Sequence, residues 1–196
     1  MARLQNLGLT CLAVVILMGC FATTLQADPI SLSGNFKTTF TVTCLSSDCA
    51  KFQAPYTGTG SITLNGSTLT NVAVSSSQVV DFTLPIPALN GTITFTAANG
   101  DKLFATSTGI PGAPINGSAS LAGLSLIFNG GTGLFANVYG TLTITAGKAT
   151  FTSATGGVGE FTFGGAGSTV PEPATLLLLG AGLAGIAATL RRRKKR

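Results

Sequence analysis

The chain predicts an all-β fold, an antiparallel β-barrel with a two-sheet β-sandwich as the alternative, and three observations carry that reading. Apolar and hydroxyl side chains alternate with period two, as in Thr141, Leu142, Thr143, Ile144 and Thr145, where Leu142 and Ile144 share one face and the threonines the other. Asn-Gly pairs begin at Asn65, Asn90, Asn99, Asn116 and Asn129, and this pair supplies the positive φ angles of tight hairpins. Charge is scarce, at 9% of residues. A sheet with so few charges on its edges is protected from edge-to-edge association by closure, which favours the barrel.

In chain order, Met1 to Ala27 reads as a secretory signal peptide, with Arg3 in a positive n-region and an almost wholly apolar stretch from Leu7 to Phe21. Cleavage is expected after Ala27. The alternatives are cleavage after Ala22, or lipidation of Cys20 behind Leu17, Met18 and Gly19. Strand-like segments follow at Phe36–Cys44, Gly60–Leu64, Thr68–Val74, Gln78–Leu84, Thr92–Ala97, Lys102–Thr108, Ser118–Phe128, Gly140–Ala146, Lys148–Ala154 and Gly159–Phe163. One packed face and one wet face per strand is the antiparallel signature. The exported stretch, residues 28–169, is long enough for one real core.

Cys44 and Cys49 are the cysteines left after signal removal, and in an oxidising compartment they are expected to pair as a disulfide. The chain has no histidine, so the usual imidazole base and the Ser-His and Cys-His nucleophile pairs are excluded. A carboxylate pair would have to come from Asp48, Asp81, Asp101 and Glu160. Asp101 reads as a turn residue, Asp48 falls inside the cystine loop, and Asp81 and Glu160 read as solvated strand positions. No phosphate loop, dinucleotide fingerprint or calcium loop is present. The reading is therefore of a protein that is not an enzyme, with no cofactor and no metal site.

The C-terminus has a different grammar. Pro171, Glu172 and Pro173 keep the backbone extended and then open a helix. The 17 residues from Ala174 to Leu190 carry no charge, and at ~1.5 Å per residue they span roughly 25 Å, the short end of a membrane crossing. Arg191, Arg192, Arg193, Lys194, Lys195 and Arg196 then form a basic block held on the cytoplasmic side. These two ends also account for the net charge of +5. Between the apolar segments four lysines stand against six acids, a net of −2, so no nucleic-acid partner is implied.

The triplet, the Leu176–Leu179 run, the small residues Gly180 to Gly185 and the basic tail together resemble the PEP-CTERM sorting signal of bacterial surface proteins. The resemblance implies a membrane-embedded exosortase that recognises Pro171, Glu172 and Pro173, removes the helix and tail, and passes the protein outward. It also implies a host that makes an exopolysaccharide matrix. A second resemblance rests on Ala98 to Phe104 and on Gly130 to Gly140. It is to small secreted barrels related distantly to the allene oxide cyclase and dirigent type, and it implies an eight-stranded antiparallel barrel over roughly Phe36 to Phe163, with Phe135 tucked into the barrel end. No activity is carried over from it.

The expected role is that of an exported cell-surface or extracellular-matrix protein, structural, adhesive or polysaccharide-associated. It would be membrane-anchored as a precursor and then placed at the cell surface or in the matrix. The alternatives are a barrel that binds a small apolar ligand and a secreted carbohydrate-active enzyme.

Overall fold

Strand β1 (Pro29–Thr41) carries the alternation of the sequence into space: Ile30, Leu32, Phe36 and Thr38 are buried, and Ser31, Ser33, Asn35, Lys37 and Thr39 between them are exposed. The computed structural model describes residues 29–169. Ten further strands follow: β2 (Thr43–Cys44), β3 (Lys51–Gln53), β4 (Tyr56–Leu64), β5 (Ser67–Asp81), β6 (Ala88–Thr96), β7 (Lys102–Gly109), β8 (Ser118–Ser120), β9 (Ser125–Gly131), β10 (Val138–Ser153) and β11 (Gly156–Thr169).

Eight of them close a barrel. The order round it is β1, β4, β5, β6, β7, β9, β10, β11 and back to β1, with every neighbouring pair antiparallel. Each barrel strand pairs with the barrel strands before and after it in the chain, an up-and-down meander. Closure through β5–β6 and β1–β11 decides for the barrel over the sandwich. Strands β2 and β3 extend from the end of β5, and β8 pairs with β10. Register places Pro29 opposite Ser168, so the first and last described strands begin and end at the same barrel end.

An interior of eight strands is just wide enough to be filled by side chains. Here phenylalanines fill it. The ring of Phe36 lies 5.0 Å from Phe95 and 5.4 Å from Phe161, and Phe163 lies 5.5 Å from Phe128 and 5.8 Å from Phe95. These spacings suit tilted and offset aromatic pairs. Gly60, the rung partner of Phe36, makes room: a Cβ there would stand 2.6 Å from the Phe36 ring. Phe135, fully buried in a short 3-10 turn (Gly133–Phe135), does close one end of the barrel, as the sequence predicted.

Several expectations are corrected. The segments predicted at Thr68–Val74 and Gln78–Leu84 are one strand, β5, with Asn71 at φ 57 where the register against β4 shifts. Gly140–Ala146 and Lys148–Ala154 are likewise one strand, β10, bulged between Ile144 and Ala146. Ser118–Phe128 is two strands, broken around Gly123 at φ 89. Asn65, Asn99 and Asn116 do precede turn glycines at positive φ, but Asn90 and Gly91 lie inside β6, and Asn129 and Gly130 lie inside β9.

The expected signal peptide, the Ala174–Leu190 helix and the basic block lie outside the described residues. Among the described residues no helix is long and apolar enough to cross a membrane.

Candidate functional site

At the barrel end opposite Pro29, the loops 42–55, 82–87 and 110–124 surround an opening. They are held by short-range features. Leu84-Pro85-Ile86-Pro87 and Ile110-Pro111 are proline-stiffened. The expected disulfide between Cys44 and Cys49 is formed, with Cα atoms 4.8 Å apart, and it ties down the 42–55 loop. Leu45, Leu84, Ile86, Ile110 and Ile115 on these loops are 47% to 72% exposed and form an apolar rim, while the exposed apolar residues elsewhere, such as Phe104, Leu134 and Val158, are scattered among outward hydroxyls.

Inside the rim is a cavity of about 90 Å³, walled by Phe40, Phe52, Phe82, Leu121, Leu124 and Phe151 and floored by Phe161. Phe40 and Phe151 meet edge to face at 5.2 Å. Its polar groups are few and all come from inward strand positions. Gln78 on β5, Gly91 on β6 and Ser107 on β7 stand in one row. Because Gly91 has no side chain, the Gln78 amide reaches across it and donates to Ser107 Oγ at 2.9 Å; a Cβ at Gly91 would lie 2.6 Å from Gln78 Cγ. Gln78 Nε2 also stands 3.5 Å from the Tyr56 hydroxyl. Burial pushes the Tyr56 phenol far above its usual range, so it is neutral and able to donate at any working pH. The hydroxyl of Ser76, next inward on β5 and rung partner of Tyr56, is buried beside the Tyr56 phenol and has no other hydrogen-bond partner among the described residues.

Sequence reasoning did not find Gln78, Ser107 or Tyr56. The signal was there in the even positions of β5, Val72, Val74, Ser76, Gln78 and Val80, which share one face, so a glutamine in that row has to point inward. Splitting β5 into two segments hid it.

The acids are placed as follows. Asp101 is the turn residue expected: Asn99 donates to it at 2.9 Å, and it accepts the Leu134 N–H at 3.0 Å, joining two loops of the Phe135 end. Asp48 sits in the cystine loop, where the Ser46 hydroxyl and the Ala50 N–H hold its carboxyl below the usual carboxylate range. Asp81 is not the solvated residue expected. It is 9% exposed, at the site edge where β3 covers the end of β5. Hydrogen bonds from Thr83, with Lys51 at 3.0 Å, lower its pKa. Glu160 is exposed as expected, in a row between Lys37 and Lys148 on the neighbouring strands. That row crosses an open outer groove shared with Thr39, Thr57 and Thr59. Lys51–Asp81 is the only ion pair among the described residues; Glu160 stands between Lys37 and Lys148 without a contact inside 4 Å to either.

Comparison with known families matches residues 169–194 to the PEP-CTERM protein-sorting motif. It takes in Pro171, Glu172, Pro173, the Ala174–Leu190 run and most of the basic block, all of them outside the described residues, and it starts at the last residue of β11. The motif marks a substrate of exosortase, and it implies export by way of a membrane-anchored precursor. No curated protein and no solved structure matches the chain.

Proposed function

We propose that this chain is an exported, noncatalytic protein of the cell surface or extracellular matrix, processed by exosortase and associated with polysaccharide. The observation that carries the reading is the sorting motif directly after the closing strand of a barrel whose interior is filled by phenylalanine. The exterior supports it. Threonine, serine and asparagine cover the strands, and Lys37, Glu160 and Lys148 lie in one row among the hydroxyls of an open groove, a polar surface with a single net positive charge that suits hydroxylated chains. The noncatalytic assignment rests on the missing histidine and on Asp48, Asp81 and Asp101 each being committed to a turn or an ion pair.

The test is intact-mass measurement on the protein recovered from matrix, envelope and inner-membrane fractions of its native host. A matrix or envelope species trimmed at both ends is expected. Replacing Pro171 and Pro173 with alanine should leave an untrimmed species in the inner membrane. A mature mass that keeps residues 174–190 would argue for a permanent anchor and against removal of the signal.

A second reading is favoured by the cavity at the rim, namely that the barrel holds a small apolar molecule there. Its walls are carbon and its polar groups few and convergent, which is the usual make-up of a small-molecule site.

A further inference from the structure

We propose that the rim cavity is selective for an uncharged, unbranched aliphatic molecule bearing one hydroxyl or carbonyl oxygen, and that Gln78 and Ser107 bind that oxygen. The inference rests on the second reading above and names the ligand class and the residues that select it.

Size excludes bulk. An apolar cavity of about 150 Å³ admits benzene, whereas this one measures about 90 Å³. A thin chain end fits, and the rest of the molecule lies against Leu84, Ile86, Ile110 and Ile115 on the rim.

Charge is excluded by the lining. Among the described residues, no Asp, Glu, Lys or Arg side chain faces the cavity. A carboxylate or ammonium would lose its hydration with no counter-charge in return.

The oxygen is called for by unspent hydrogen-bonding capacity. Among the described residues, Gln78 uses its amide N–H on Ser107 and its carbonyl oxygen has no partner; Ser107, 1% exposed, accepts that bond and donates its own hydrogen to no acceptor. Whichever way the amide is turned, one polar end meets Ser107 and the other is left for a ligand. Gly91 is what allows the pair to form, because any side chain there would push Gln78 out of the row.

The experiment titrates 1-hexanol, hexanoate, hexylammonium and pentane into the processed protein from its native host, following phenylalanine ring resonances by NMR. Hexanol is expected to bind about two- to ten-fold more tightly than pentane, the range of one net hydrogen bond. Hexanoate and hexylammonium are expected to bind more weakly than either. Ser107→Ala and Gln78→Met should each erase the advantage of hexanol while leaving pentane unchanged. Ser107→Ala, a single-atom deletion, keeps the test readable if Gln78→Met disturbs packing. Equal binding of hexanol and pentane, or an advantage that survives Ser107→Ala, overturns the role of the polar pair and leaves the apolar site standing. Failure of all four probes to move the cavity resonances overturns the apolar-site reading itself.

Discussion

Replacing Gly91 with alanine separates two accounts of the same residue. In an open strand, glycine to alanine gains roughly 0.5–1 kcal/mol, because alanine loses less backbone freedom on folding. At a tight turn of positive φ the same change costs about 1 kcal/mol or more. Gly91 is in neither situation. It sits inside β6 with ordinary strand backbone, and a Cβ there would lie 2.5 Å from the Ser77 carbonyl oxygen and 2.6 Å from Gln78 Cγ. Overpacking of this kind costs typically 1–3 kcal/mol, so Gly91→Ala should lower stability by about that amount. Gln78→Ala in the same chain removes the Cγ contact but not the backbone one, so the double variant should recover part of the loss, with a coupling of about 0.5–3 kcal/mol. Gly66→Ala is the comparison, because Gly66 has φ 82 and nothing within 4 Å of its would-be Cβ; its loss should be backbone strain alone, with no coupling to Gln78. Denaturant midpoints at unchanged slope, measured on the single variants and on each glycine variant combined with Gln78→Ala, give these values. A neutral or stabilised Gly91→Ala would refute the crowded row and the reach of Gln78 across it.

Phe36→Ala should cost about 3–5 kcal/mol by opening a hole among Phe95, Phe161 and Phe163, seen as a large drop in midpoint. Replacing Cys44 and Cys49 together with serine should cost about 2 kcal/mol on the chain-entropy scale for so short a ring, measured by thermal unfolding against the oxidised protein. For Asp81 and Asp48 the folded pKa lies below the unfolded one, so their contribution is present above the ordinary carboxylate range and lost as pH falls through the folded value. Asp81→Asn should therefore lower stability at neutral pH and flatten the acid limb of the stability curve, measured by denaturation from pH 7 downward.

The barrel was legible because period-two alternation is a local signal, and Thr141 to Thr145 or Phe161 to Phe163 show it within five residues. Strand length was not. Ser75, Ser76, Ser77 and Gly147, which separated the predicted segments, pair in register within β5 and β10, while the real irregularities, at Asn71 and between Ile144 and Ala146, fall inside those segments and bend the strands without ending them. Asn90-Gly91 misled for another reason. The pair has turn chemistry, yet the glycine is there for the space beside Gln78, a demand made by residues on two other strands. The polar row of the cavity was hidden for the same cause, because it exists only once β5, β6 and β7 are side by side. The cystine pairing was readable from spacing, whereas the burial of Asp81 depends on β3, a three-residue strand with no clear pattern of its own.

The barrel is joined by its first and last strands, which pair along the whole of β1 from Pro29 opposite Ser168 to Thr41 opposite Gly156. In a chain threaded through a translocation pore from its N-terminus, β1 arrives at the outset and waits, paired only with β4, until β11 emerges. During that interval the protein is a curled ribbon with two bare borders, each ready to recruit a neighbour. The fourteen residues of β11 are thus a timing element as well as a wall: only their arrival removes both borders at once. A chain halted before them would be the form most prone to clump.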